Sequence, residues 1–260
     1  MKMLKTISLF LLIFFITGCT TAKNQSSQHT SEVRSFTNIK GVSLIGSGDL
    51  DIKLGDKEEL TIYAPTDLLP YLITEVDNGT LTIGKRKNGW KKYKHLNEKI
   101  NYELTVKSID HLKLSGSGDI SAERLSGNNC SIKISGSGNI DIETVTSDKL
   151  TLQVSGSGDI SIIKAKANII GTTISGSGNI DVDGNADEFD LTISGSGNLY
   201  GANFNCEDAS IDIYGSGDAD LTVKNVLKAH ISGSGDIYYG GSPNIDSRIT
   251  GSGKIINRHL

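Results

Sequence analysis

One stretch of this 260-residue chain gathers side chains able to hold a ligand: Lys85, Arg86, Lys87, Trp90, Lys91, Lys92, Tyr93 and Lys94, closed by His95. Six basic residues, the only Trp and a Tyr fall within eleven positions of a chain with 30 acidic and 26 basic residues. Ammonium and guanidinium groups attract phosphate or carboxylate, and aromatic rings stack on sugar or base faces. The chemistry is that of a grip on an anionic surface polymer, such as a cell-surface polysaccharide, or on another envelope protein. The same composition also suits a solvated hairpin tip on which Lys and Arg discourage edge pairing. Nucleic acid is not the expected ligand, because one basic loop on an acidic chain is a small electrostatic footprint.

A second chemical signal is Cys19. Lys2 and Lys5 precede an apolar run from Ile7 to Ile16, and Thr17-Gly18-Cys19 follows. A charged start, a short apolar stretch and a small-residue exit read as a secretory signal over residues 1–18. The run is too short to span a bilayer as a helix, which takes about 20 residues. Ile16-Thr17-Gly18-Cys19 resembles a bacterial lipobox, so Cys19 is expected to be the acylated first residue of the mature chain, anchoring it to a membrane. Thr20, not Asp, follows it; in lipoproteins of Gram-negative bacteria that implies the outer membrane. Residues 19–33, rich in Ser, Thr and Gln, read as a flexible tether. Loss of Lys2 and Lys5 with the leader leaves 24 basic against 30 acidic residues, a net charge of −6.

The usual catalytic and metal-binding patterns are absent from the sequence. There is no Gly-x-Ser-x-Gly elbow, and every Gly-x-Gly lacks the third glycine of a dinucleotide loop. His29, His95, His111, His230 and His259 are scattered without metal-ligand spacing. An Asp/Asn column (Asp49, Asp119, Asn139, Asp159, Asn179, Asn198, Asp218, Asp236) supplies one oxygen-bearing side chain per repeat, whereas calcium takes six to eight oxygens. Asp141, Asp181 and Asp220 alternate with Ser121, Ser161 and Tyr200, so these acids fall on every second repeat, roughly 10 Å apart. A polysaccharide-cleaving β-helix would need its carboxylates clustered. No catalytic residue, metal or cofactor is therefore expected; a polysaccharide-active enzyme and an envelope-stress or assembly partner remain the alternatives to a binding module.

The elements that position these residues come from a repeat. Gly-Ser-Gly occurs nine times, and from Gly116 onward the spacings are 20, 20, 20, 19, 20, 18 and 18. A period near 20 marks a solenoid. Two positions before each first glycine stand Leu114, Ile134, Val154, Ile174, Ile193, Ile213, Ile231 and Ile249; four after it stand Ile120, Ile140, Ile160, Ile180, Leu199, Ala219, Ile237 and Ile255. Apolar and polar residues alternate at period 2 on both sides of the corner, which predicts two short strands per coil. Two glycines per coil argue against helix, and a constant repeat polarity argues against an antiparallel meander. The expected fold is all-β, a parallel β-solenoid of ~20-residue coils about 40 Å long. Cys130 and Cys206 are expected to be unpaired thiols, Cys130 in the core.

Seventy residues separate Gly46 from Gly116. Within them Leu60–Ala64, Leu81–Ile83 and Lys99–Val106 read as strands, with Asn78-Gly79 a hairpin turn. Residues 55–110 are read as a β-rich cap or insertion over one end of a domain spanning 34–258. The order Phe36-Thr37-Asn38-Ile39, Gly46-Ser47-Gly48-Asp49, the Pro65–Ile83 segment, the Gly-Ser-Gly-Asp/Asn units and Tyr239-Gly240-Gly241-Ser242-Pro243 resembles the head GIN domain family of auto-transporter adhesins. The resemblance implies a right-handed β-helix and a cell-envelope location. It carries over no catalytic or binding residue, and oligomeric state is left open.

Overall fold

The computed structural model describes residues 29–85 and 99–258. Strands β1 (His29–Ser35), β2 (Gly41–Gly46), β3 (Asp49–Leu54), β4 (Glu59–Pro65), β5 (Leu72–Asp77), β6 (Thr80–Lys85), β7 (Asn101–Val106) and β8 (His111–Gly116) precede the long winding strands. These are β9 (Ile120–Gly136), β10 (Ile140–Gly156), β11 (Ile160–Gly176), β12 (Ile180–Gly195), β13 (Leu199–Gly215) and β14 (Ala219–Gly233). The chain closes with β15 (Ile237–Gly240), β16 (Asn244–Gly251) and β17 (Ile255–Asn257).

The repeat becomes a stack because its alternation gives every coil the same apolar face, and one coil cannot bury that face alone. Ile140 lies against Ile120 on one side and Ile160 on the other, all strands running parallel. All nine Gly-Ser-Gly corners form one column, Gly46 on Gly116 at one end and Gly233 on Gly251 at the other. The predicted columns point inward: Leu114, Ile134, Val154, Ile174, Ile193, Ile213 and Ile231 are at most 2% exposed. Ile249, in the same column, is the exception at 43%, because no described strand pairs with the outer edge of β16. Cys130 and Cys206 are unpaired and buried. Burial pushes both thiols up, Cys206 to about 12, so they behave as small core hydrophobes.

The drift from 20 to 18 residues is confined to one side of the coil. Between β11 and β12 the offset changes from 20 to 19 between Ile162 and Ala165. Between β13 and β14 it falls from 20 to 17 between Tyr200 and Asn205 and returns to 18 between Cys206 and Asp208. Bulges and deletions collect at this outer corner, while the Gly-Ser-Gly corner keeps its register.

Both glycines of the corner are dictated by close stacking. At Gly136 the backbone has φ +138°, a region that side chains disfavour. A Cβ at Gly138 would stand 1.8 Å from the Gly118 carbonyl oxygen of the next coil. That approach lets the Gly116 carbonyl accept from the N–H groups of both Ser137 (2.8 Å) and Gly138 (3.2 Å).

Residues 55–110 hold more than the cap expected for them. β6 and β7 form a coil of their own, β6 parallel to β2 (Leu44 on Ile83) and β7 parallel to β3 (Leu50 on Tyr102). β2 therefore lies between β6 and β8, so the second coil in sequence stacks outside the first. The antiparallel pieces cover this coil: β4 on β7, β1 on β4, and β5 on β6 through a turn with Asn78 at φ 48° and Gly79 at φ 80°, the mirror-image geometry suited to tight hairpins. Arg34 of β1 binds the cap together, donating to Glu32 (2.7 Å) and to Thr74 Oγ1 (2.6 Å). Among the described residues no helix is long and apolar enough to cross a membrane.

Candidate functional site

The added β6/β7 coil decides where the basic stretch sits. In the first coil four residues, 45–48, turn the chain from Leu44 to Asp49. In the β6/β7 coil the equivalent positions are Ile83 and Asn101, and residues 84–100 join them in sequence. The basic stretch is thus attached to this coil at the strand ends that face the Gly46–Gly48 corner. Its two flanking residues contact that corner: Lys85 Nζ donates to Ser47 Oγ at 3.2 Å, and Lys99 Nζ is ion-paired with Asp49. Partial burial holds the Lys85 ammonium below its usual range, while Asp49 raises Lys99. Of the candidate ligand-holding residues, Lys85 is therefore at the loop's root. Arg86, Lys87, Trp90, Lys91, Lys92, Tyr93 and Lys94 lie outside the described residues, as does Cys19. Sequence reading passed over the Ser47 and Lys99 contacts, since nothing in the spacing brings residue 47 beside residue 85.

The Asp/Asn column is a structural ladder. From Asp119 on, each Oδ1 accepts the backbone N–H of its counterpart one coil on: Asn139 N–H to Asp119 (2.8 Å), Asp159 N–H to Asn139 (3.1 Å), Asn179 N–H to Asp159 (2.7 Å), and so on to Lys254 N–H on Asp236 (2.7 Å). Asn139, Asn179 and Asn198 also donate their amides to the preceding side chain at 3.0–3.2 Å. The Oδ1 atoms of the column are thus engaged by backbone donors. Among the described residues no group of three or more His, Cys, Asp or Glu is arranged to hold a metal. Asn139→Ala removes an acceptor and a donor, and should lower stability by about 1–2 kcal/mol. Asp159→Asn keeps its acceptor oxygen and should change stability by less than ~0.5 kcal/mol; paired urea titrations read both.

The outward acids have other attachments. Asp220 Oδ1 lies 2.9 Å from Arg258 Nε, which secures the last described residue to β14. Burial raises the carboxyls of Asp141, Asp181 and Asp220, with Arg258 working against it at Asp220. A shallow cleft of about 360 Å³ is lined by Asp51, Ser121, Glu123, Asp141 and Ser161. Ser121 there donates to Asp51 at 2.9 Å, and Glu123 accepts the Leu54 N–H at 3.1 Å. Both groups serve the coil junction. One relay of hydroxyl, imidazole and carboxylate was invisible in the sequence: Thr80 Oγ1 lies 2.8 Å from His111 Nε2, and His111 Nδ1 lies 2.6 Å from Asp110 Oδ1. His111 crosses over Gly41, where a Cβ would stand 2.0 Å from Nε2, and so locks β8 to β6 across β2.

These features define the class: a parallel β-solenoid with long polar faces, one capped end, and a basic loop rooted in its corner column. The chain belongs to the family described as "Putative auto-transporter adhesin, head GIN domain", whose model matches residues 36–168 and 143–243. Crystal structures of a "putative lipid binding protein" and a "putative adhesin", both from Parabacteroides distasonis ATCC 8503, are similar to it. They share 26% and 27% identity, each at TM-score 0.81, over 90% of this chain and 98% of theirs. A "putative adhesin" from Parabacteroides merdae ATCC 43184 has the same fold, with TM-score 0.82 at 22% identity over 90% of this chain and 98% of its own. None of the curated proteins matches the chain.

Proposed function

We propose that this protein is a lipid-anchored module of the cell envelope that acts by non-catalytic adhesion or scaffolding. Acyl chains on Cys19 hold it to the outer membrane, residues 19–33 tether it, and the solenoid stands off the surface as a rigid body. The basic loop, residues 85–94, grips anionic groups of surface polysaccharide or of another envelope protein. The observation that carries this reading is the attachment of the basic stretch: the residues flanking it, Lys85 and Lys99, contact Ser47 and Asp49 of a stacked corner. The adhesin names borne by family members support it.

Binding of the soluble form (residues 20–260) to acidic polysaccharides and isolated envelopes tests the loop. Joint replacement of Lys91, Lys92 and Lys94 by Glu should weaken binding at least about tenfold, and wild-type binding should fall steeply with salt. Unchanged binding by the triple variant would remove the loop from the proposal. Labelled palmitate should be incorporated by the full chain and lost with Cys19→Ala.

A further inference from the structure

The two ends of the stack are treated differently. β1, β4 and β5 cover the β6/β7 end, whereas β16 pairs with β14 on one side only and no described strand pairs with its other edge. The core column runs out into solvent there: Ile245 and Ile249 are each 43% exposed, while Leu227 and Ile231, their partners one coil back, are fully buried. Natural edges are guarded by proline, bulges, charged side chains or a covering segment. Asn244–Gly251 holds no proline, and its two charges, Asp246 and Arg248, are of opposite sign and so can pair with those of a second copy.

The segment is also self-complementary. Read outward from Ser247, it pairs Asp246 with Arg248, Ile245 with Ile249, and Asn244 with Thr250. In an antiparallel strand pair centred on Ser247, these are the residues that stand directly opposite. Register with β14 puts Ile245, Ser247 and Ile249 in the inward columns of Leu227, Ala229 and Ile231, and places Asp246 and Arg248 on the outer face beside Lys228 and His230. A second copy docked this way covers four isoleucines in continuation of both cores and forms two Asp–Arg pairs outside, with every contact made twice.

We infer that the β16 edge is a homotypic docking surface, to which a second copy of this chain adds its own β16 antiparallel across a two-fold axis at Ser247. One strand edge is small beside the ~1,200 Å² that a stable interface buries, so the dimer is weak and concentration-dependent. The capped ends, from which the N-terminal tethers leave, then face away from each other, so anchored copies meet from opposed surfaces. This last consequence rests on the anchoring and adhesion reading above; the docking itself does not.

Sedimentation of residues 20–260, from about 1 µM to about 1 mM, tests the docking. The wild type should shift from monomer to dimer. Asp246→Arg and Arg248→Asp should each raise the dissociation constant at least about tenfold, since like charges then oppose each other twice. Mixing the two variants should restore dimers, because each supplies the charge the other opposes, and Asp246→Arg combined with Arg248→Asp in one chain should restore them alone. Both positions are on the outer face, and an unchanged circular dichroism melt certifies the fold. Absence of a wild-type dimer, or a dimer insensitive to these charges, overturns the inference; so does failure of the mixture to recover. Beads carrying the chain by its N-terminus should cluster with the same charge dependence. Dimers in solution without clustering would leave the docking surface standing and sink only the opposed-surface consequence.

Discussion

Gly138→Ala should abolish folding at ambient temperature, whereas Gly171→Ala should leave the melting temperature unchanged or slightly higher. The two substitutions add the same methyl group to the same winding sheet. At Gly138 it would stand 1.8 Å from the Gly118 carbonyl oxygen and 3.0 Å from Leu114 Cδ2; at Gly171 it meets nothing within 4 Å. The obstacle at 138 is backbone fixed by its own coil contacts, so it cannot swing aside as a side-chain tip can. Relief requires the coils to part by more than 1 Å, and that breaks the bonds from Ser137 and Gly138 to the Gly116 carbonyl together with the apolar contacts beneath. A loss above about 5 kcal/mol is expected, in the range reserved for gross steric conflict. Because stability in a stack is a sum over coils and their interfaces, one broken interface in the middle uncouples both halves. At Gly171 the alanine only narrows the unfolded ensemble, a gain of about 0.4–1 kcal/mol. Circular dichroism melts of the pair decide the matter; a folded Gly138→Ala protein of normal stability would show that the corners do not stack this closely.

Phe189→Ala carries the next largest effect. Phe189 and Phe204 are fully buried, with ring centroids 5.0 Å apart at 53°. Phe189 stands between Ile170 and Ala209, and Phe204 packs beside Gly184 in the neighbouring coil, so large and small residues alternate along the axis. Removing one ring leaves a void bounded by strands that cannot close in without losing register, and should cost about 3–5 kcal/mol in urea unfolding. Phe204→Ala should cost a similar amount. The double variant should lose less than the sum, because the ring–ring contact is then subtracted once. Strict additivity would mean the two rings do not support each other.

The parts of the fold that repeat were legible, and those that break the repeat were not. Ile, Val and Leu at fixed offsets from Gly-Ser-Gly gave the inward columns because a stacked coil selects the same face each time. The β6/β7 coil escaped notice because no Gly-Ser-Gly stands between its two strands in the sequence. Its columns, Leu81 beneath Val42 and Leu104 beneath Ile52, show only once the register is known. Asn amides donate to the neighbouring carboxylates at Asn139 and Asn179. Asp218 and Asp236 have no Asn between them, yet Asp218 Oδ1 is satisfied by the Asp236 N–H at 2.7 Å. That backbone donor is common to every coil and invisible in residue types. Ile249 belongs to an inward column by its offset, and only its place at the end of the stack exposes it. The basic stretch was legible as composition, while its rooting on Ser47 and Asp49 required the fold.

The central claim is that successive corners pile one above the next along a single axis. Spin labels placed singly at Ser196, Ser216 and Ser252, each paired with a label at Ser137, test it through pulsed dipolar distances. The corner serines are exposed, and the account predicts separations growing by ~4.8 Å per coil, to roughly 14, 19 and 29 Å for three, four and six coils. Distances that alternate between short and long, or that stop increasing with coil number, would contradict it.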